Sequence, residues 1–146
     1  MKYFTEENSE HAVLSRLADN VDPRFREIME SAVKHLHGFV KEVEPTINAF
    51  TETFFDAAMA QAQQAEKRYQ AGAKDLKPLE GLTVTIKDVL DQNGIRNTHG
   101  SLSLKDNIAT ADHPVVERIK QAGGIIHART TTSEFSFGWI TATRLW

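Results

Sequence analysis

The chain has 146 residues, a single domain's length, enough to bury about 70% of the surface its unfolded form exposes. Apolar residues make up 40% and charged residues 25%, without a low-complexity tract, which describes a folded chain rather than a disordered one. A net charge of −3 with no basic run interleaved with aromatics argues against nucleic acid as a direct partner, and the absence of cysteine removes disulfides, thiolate nucleophiles and Cys-ligated metals.

The opening Met-Lys-Tyr-Phe-Thr-Glu-Glu lacks the apolar centre of a signal peptide, and no later apolar run is long enough to span a bilayer. A cytoplasmic protein without a membrane partner is expected. Val13, Leu14, Leu17, Ala18 and Val21 recur at helical spacing. A stronger stripe follows: Phe25, Ile28, Met29, Ala32, Val33, Leu36, Phe39, Val40 and Val43. Two amphipathic helices should open the chain, the second started by Asp22 and Pro23 and stopped by Pro45, after Glu44.

Residues 46–51, with Ile47 and Ala49 to one side, read as a short strand. A third helix follows, with Thr53 and Asp56 as a capping box, a stripe of Phe55, Ala58, Met59, Ala62 and Ala65, and Gly72 as terminator. Leu82, Val84 and Ile86 then alternate with Thr83, Thr85 and Lys87, so a strand sends three apolar side chains to one face and Lys87 to the other. The turn-rich stretches 91–94 and 97–100 begin a long loop that runs to Thr110. Asp112, with Pro114 behind it, starts another helix. Val115, Val116, Ile119 and Ala122 should face inward, and Gly123-Gly124 should end it before a strand at 125–129.

Strands separated by helices imply parallel pairing through right-handed crossovers. The expected class is α/β: a helical N-terminal segment over residues 1–45, then, over 46–146, part of a mixed, mainly parallel sheet flanked by helices.

A lysine at a strand's end, followed by Asp88 and a glycine-containing loop, stands where open α/β sheets place their ligand sites. Taken alone, Lys87 reads better as a solvated cation at a strand terminus. Asp88 points away from Lys87 on a regular strand and so reads as a tether for the following loop. Glu134 reads as a helix cap with Thr131. Ser101, Ser103, Ser133 and Ser136 sit in no Gly-x-Ser-x-Gly elbow. Asp88, His99 and Ser101 supply the residue types of a hydrolytic triad, but short sequence separation is no argument for that spatial arrangement. His35 and His37 point about 200° apart on a helix, and His11, His113 and His127 add no ligand spacing, so neither metal nor cofactor is expected.

Residues 78–88, Pro-Leu-Glu-Gly-Leu-Thr-Val-Thr-Ile-Lys-Asp, resemble the stretch of the amidase-signature family in which a buried lysine follows a glycine and an apolar strand. Gly100-Ser101, residues 114–126 and residues 130–135 ending in Ser-Glu-Phe are similar to that family's next blocks in the same order, and residues 45–50 to an upstream one. Two departures stand out: Val89 where many members carry asparagine after Lys-Asp, and Arg129-Thr-Thr where Lys-Thr-Asn is usual.

The resemblance implies amide hydrolysis by a serine nucleophile, a second serine in a cis peptide and a lysine, the last matched by Lys87. Such a lysine must be neutral to take a proton through the bridging serine, a state that burial or a neighbouring cation imposes. The family's serines lie in downstream glycine- and serine-rich motifs, and the 146 residues hold no such tract. The expectation is therefore the N-terminal portion of an amidase, inactive alone, whose full-length relatives act on small-molecule amides; nothing in it selects a free-standing amidase over a component of a tRNA-dependent amidotransferase. An unfinished sheet leaves apolar faces and edges to be covered, which implies a homo-oligomer or a chain that supplies the serine motifs. The alternative expectation is a non-catalytic interaction module.

Overall fold

The computed structural model describes residues 29–146. The first expected helix, and the Asp22–Pro23 start of the second, lie outside the described residues. Helix α1 (Met29–Ile47) buries Val33, His37 and Val40, which share one face at intervals of four and three residues. Phe39, placed inward by the sequence pattern, is 59% exposed because His37 occupies the inner position instead.

α1 also runs through Pro45, the residue expected to stop it. A proline removes one backbone donor, but here only the final turn loses it. Three residues on, Asn48 takes a left-handed conformation (φ 52°) and donates its N–H to the Glu44 carbonyl at 2.7 Å, which closes the helix.

Because the helix consumes residues 46 and 47, strand β1 falls at Phe50–Thr53 rather than at 46–51. Helix α2 (Phe55–Gln70) buries Ala58, Ala62, Ala65 and Tyr69. Small alanines let it lie close to the sheet. The expected capping box does not form: Phe54 holds the N-cap position without a side-chain bond, and Thr53 is committed to the strand. Asp56 in the first turn still complements the helix dipole. Gly72 (φ +66°) supplies the left-handed turn beyond the helix end, as its place in the sequence suggests.

Strand β2 (Thr83–Lys87), helix α3 (Pro114–Gln121) and strand β3 (Ile125–Thr130) form a β-α-β unit. His113, not Asp112, caps α3: its Nδ1 accepts the Val115 N–H at 3.2 Å. Asp112 instead holds Lys120 at 2.6 Å and accepts the Asn93 N–H at 2.8 Å. Val116 is buried while its neighbour Val115 is exposed.

The strands lie in the order β1-β3-β2, with β2 parallel and β1 antiparallel to the central β3. This is the expected α/β class with a mixed sheet. Val33, Ala58, Ala62 and Ile125 pack α1 and α2 on one face, and Ile86, Val116 and Ile126 pack α3 on the other. The register slips in the middle: Val84 pairs with Ile126, but Thr85 pairs with Ala128, leaving His127 as an extra residue in β3. Such a bulge resets the alternation. Arg129 thereby comes into register with Ile86 and shares its face. Among the described residues, no helix is long and apolar enough to cross a membrane.

Candidate functional site

Lys87 and Thr130 are the last residues of β2 and β3 and stand in register, so the two parallel strands end together. Alternation along β2 puts Lys87 on the face of Thr85, and both side chains are exposed. Among the described residues the Lys87 amine has no hydrogen-bond or ion-pair partner. Its backbone is fixed, since its carbonyl accepts the N–H groups of Val89 at 2.7 Å and Leu90 at 3.0 Å. The burial that the family resemblance implies for this lysine is not supplied by these residues, because α1 and α2 cover the sheet around Ile125 and leave the β2 terminus open.

Asp88 turns the opposite way and is fully buried. Its Oδ1 accepts the Thr98 N–H at 3.0 Å and Nη2 of Arg129 at 3.2 Å, and its Oδ2 accepts the Thr98 hydroxyl. Its own N–H reaches the Thr130 carbonyl at 2.9 Å. Asp88 thus tethers the loop after β2, as the alternation of the strand suggests.

Arg129 completes the network by donating to the Leu90 carbonyl and to Oδ1 of Asn97, each at 3.1 Å. Two charges removed from water are costly unless paired and hydrogen-bonded, and this arrangement answers most of that cost. In the sequence Arg129 stands out only as a departure from a family pattern. A physical signal accompanies it all the same: a charge closing a run of interior strand residues must find a partner, and Asp88 is the acid next to the neighbouring strand's end.

A second layer joins the loop after β2 to the segment after β3. Gly100 (φ +67°) passes so close that a Cβ there would sit 2.7 Å from the Thr132 carbonyl oxygen. The Phe135 N–H donates to the His99 carbonyl at 2.7 Å, and the Ser101 hydroxyl donates to Oε1 of Glu134 at 2.6 Å. Glu134 therefore receives Ser101 across 33 residues of sequence rather than capping a helix with Thr131. His99, Phe135 and Ser136 all take positive φ, which marks a backbone held by its surroundings.

Among the described residues no histidine or lysine partners any of the four serines, and Ser101 alone meets an ionisable side chain, the Glu134 carboxylate. Ser101 and Ser103 bond each other at 2.9 Å, the Ser133 hydroxyl is engaged with the Gly138 backbone, and Ser136 bonds Thr132 at 3.0 Å. Asp88, His99 and Ser101 form no relay: Asp88 is occupied by Thr98 and Arg129, while Nε2 of His99 lies 3.3 Å from the Asn97 amide. No group of three or more histidine, aspartate or glutamate side chains converges for a metal among the described residues. His35 is exposed and His37 buried, so the two rings point apart as expected. What remains is one open amine, rigidly mounted where two parallel strands end.

A family model described as Amidase matches residues 18–145. A glutamyl-tRNA(Gln) amidotransferase component of Synechococcus sp. (strain CC9605) is 36% identical over 118 residues, covering 81% of this chain and 23% of the relative. An acylamidase of Rhodococcus erythropolis is 33% identical over 120 residues, 82% of this chain and 24% of its own length. The chain thus spans about a quarter of the length of the curated relatives it matches. Among solved structures, a protein from a vestigial complex described as revealing the evolutionary origins of an s-triazine catabolic enzyme superposes with a TM-score of 0.71 at 27% identity, covering 80% of this chain and 25% of that one. A 6-aminohexanoate cyclic dimer hydrolase superposes with a TM-score of 0.67 at 25% identity over 91% of this chain and 26% of its own.

Proposed function

The chain belongs to the amidase family, and from that premise we propose that it forms the N-terminal part of an amide hydrolase in which Lys87 is the proton-accepting amine of a Ser-cisSer-Lys triad. The observation that carries this reading is the position of Lys87: in register with Thr130 at the shared end of two parallel strands, anchored behind by the Asp88–Arg129 network. The substrate class is a small-molecule carboxylic amide. An amine accepts a proton only when neutral, so the open face of Thr85 and Lys87 has to be covered in the working enzyme. That cover comes from polypeptide other than the described residues, both serines come from polypeptide other than these 146 residues, and the chain alone is inactive. Incubating the purified chain with a panel of aryl, alkyl and primary amides tests this: no turnover is expected, and turnover that survives Lys87→Ala would show that the site is misplaced.

A second reading, a non-catalytic interaction module, is favoured by one feature. Phe137, Trp139 and Ile140 are exposed in succession after β3, a contiguous apolar stretch of the kind that marks interaction surfaces. On this reading the chain docks through them onto itself or onto a chain that carries the serine motifs. Light scattering tests the first of these arms: a monodisperse monomer at all concentrations removes self-association from consideration and leaves docking onto a second chain.

A further inference from the structure

His37 sits between Val33 and Val40 on the buried face of α1, at a position where an aliphatic residue would continue the stripe. Its ring stacks on Phe55 with centroids 4.0 Å apart and planes 23° apart. It also stacks over His127, the bulged residue of β3, at 5.8 Å and 26°. Phe50 of β1 meets His127 edge-on at 6.2 Å. One nitrogen of each imidazole, Nε2 of His37 and Nδ1 of His127, is buried without a hydrogen-bond partner among the described residues.

Such a stack suits two neutral rings. A proton placed on either orphan nitrogen creates a buried cation with no acceptor among the described residues, and a second proton places like charges 5.8 Å apart. The charges around the pair do little to offset this. Lys41, one turn along α1, sets its ammonium 6.0 Å from the Phe55 ring and opposes a charged His37, while Asp56 of α2 is the nearby acid that favours it. Glu44 of α1 is engaged by the Phe50 N–H at 2.7 Å, and Glu52 of β1 faces Arg96 at 3.7 Å.

We propose that the stacked His37–His127 pair is a proton-operated latch: neutral, it seals α1 onto the sheet, and on taking up protons from mildly acidic solution it lets the helix go and uncovers the apolar face of Phe50 and Phe55. Burial holds both imidazoles below their ordinary value. Lys41 adds to the effect at His37 against the pull of Asp56, and His37 adds to it at His127. The direction of the switch follows: a base whose pKa is lowered by docking binds more protons undocked, so the seal is complete above the ordinary imidazole pKa of 6.5 and weakens as pH falls below it.

Hydrogen exchange of the full 146-residue chain, corrected for intrinsic rates, tests the latch at pH 7.5 and pH 5. Protection of the α1 amides should fall about tenfold or more in the wild type and by no more than about twofold in His37→Phe/His127→Phe. Equal loss in both proteins, or none in either, overturns the proposal. Should the double variant fail to fold, the wild type decides alone by NMR: α1 protection that follows the titration of the two rings supports the latch, and protection that stays flat through it overturns it.

Discussion

Arg129 and Asp88 lie at the ends of neighbouring parallel strands and form an ion pair with both side chains out of water, 0% and 1% exposed, at 3.2 Å. A pair of this kind adds little relative to a well-packed apolar pair, but losing one member leaves the other charged and alone. Asp88→Ala should therefore lower the unfolding free energy by about 3–5 kcal/mol, read from urea denaturation. Asp88→Ala combined with Arg129→Met should recover a large part of that loss. A loss under about 1 kcal/mol in the single variant would mean that water reaches Arg129.

Lys87 should behave in the opposite way. Its side chain is exposed and unpartnered among the described residues, so Lys87→Ala is expected to change stability by less than about 0.5 kcal/mol. In an assembly that contains the serine motifs, the same substitution should reduce amide turnover by about a hundredfold or more. Thermal denaturation and a turnover assay on one preparation separate the two effects.

Gly100→Ala combines a strained φ with a methyl 2.7 Å from the Thr132 carbonyl. A cost of roughly 1–3 kcal/mol is expected, together with faster exchange of the Phe135 amide, whose acceptor is the adjacent His99 carbonyl. An unchanged melting temperature would show that the two loops are not clamped.

Asp112 provides an acid-range test. The bond from Lys120, helped by the Asn93 N–H, holds its carboxyl below the ordinary value against a smaller opposing effect of burial. A carboxylate depressed in the folded state contributes stability that is present above its unfolded pKa and fades as pH falls through the folded one. Asp112→Asn should flatten that fade below about pH 4 while costing no more than about 1 kcal/mol at neutral pH, because the pair is partly exposed and salt-screened.

The helix stops written by Gly72 and Gly123-Gly124, and the period-two alternation through Ile86 and Lys87, are legible because each depends on local sterics alone. Pro45 misleads for a related reason: near a helix's end a missing donor costs little, and Asn48 closes the helix later. Thr53 is drawn away from capping by its pairing with Ala128, a long-range contact that no local pattern contains. The places of Arg129 and His37 escape a sequence reading because the bulge at His127 resets one face of β3 and the helix stripe admits a polar ring. Asp88 is readable as a tether through its alternation with Lys87, whereas the register that brings Arg129 onto its face depends on the bulge.

Trp139 and Trp146 are the chain's two indoles, and both lie beyond β3, Trp139 with its ring wholly open and Trp146 beneath the Arg96 guanidinium at 5.0 Å. Tryptophan emission, unlike that of Tyr69 in α2, therefore watches this tail and is blind to the helices and sheet, so a melting curve followed by it would describe the wrong part of the molecule. The same blindness makes it a clean optical sensor for anything that settles on Phe137 and Ile140, since a blue shift without any change in circular dichroism would signal contact rather than refolding.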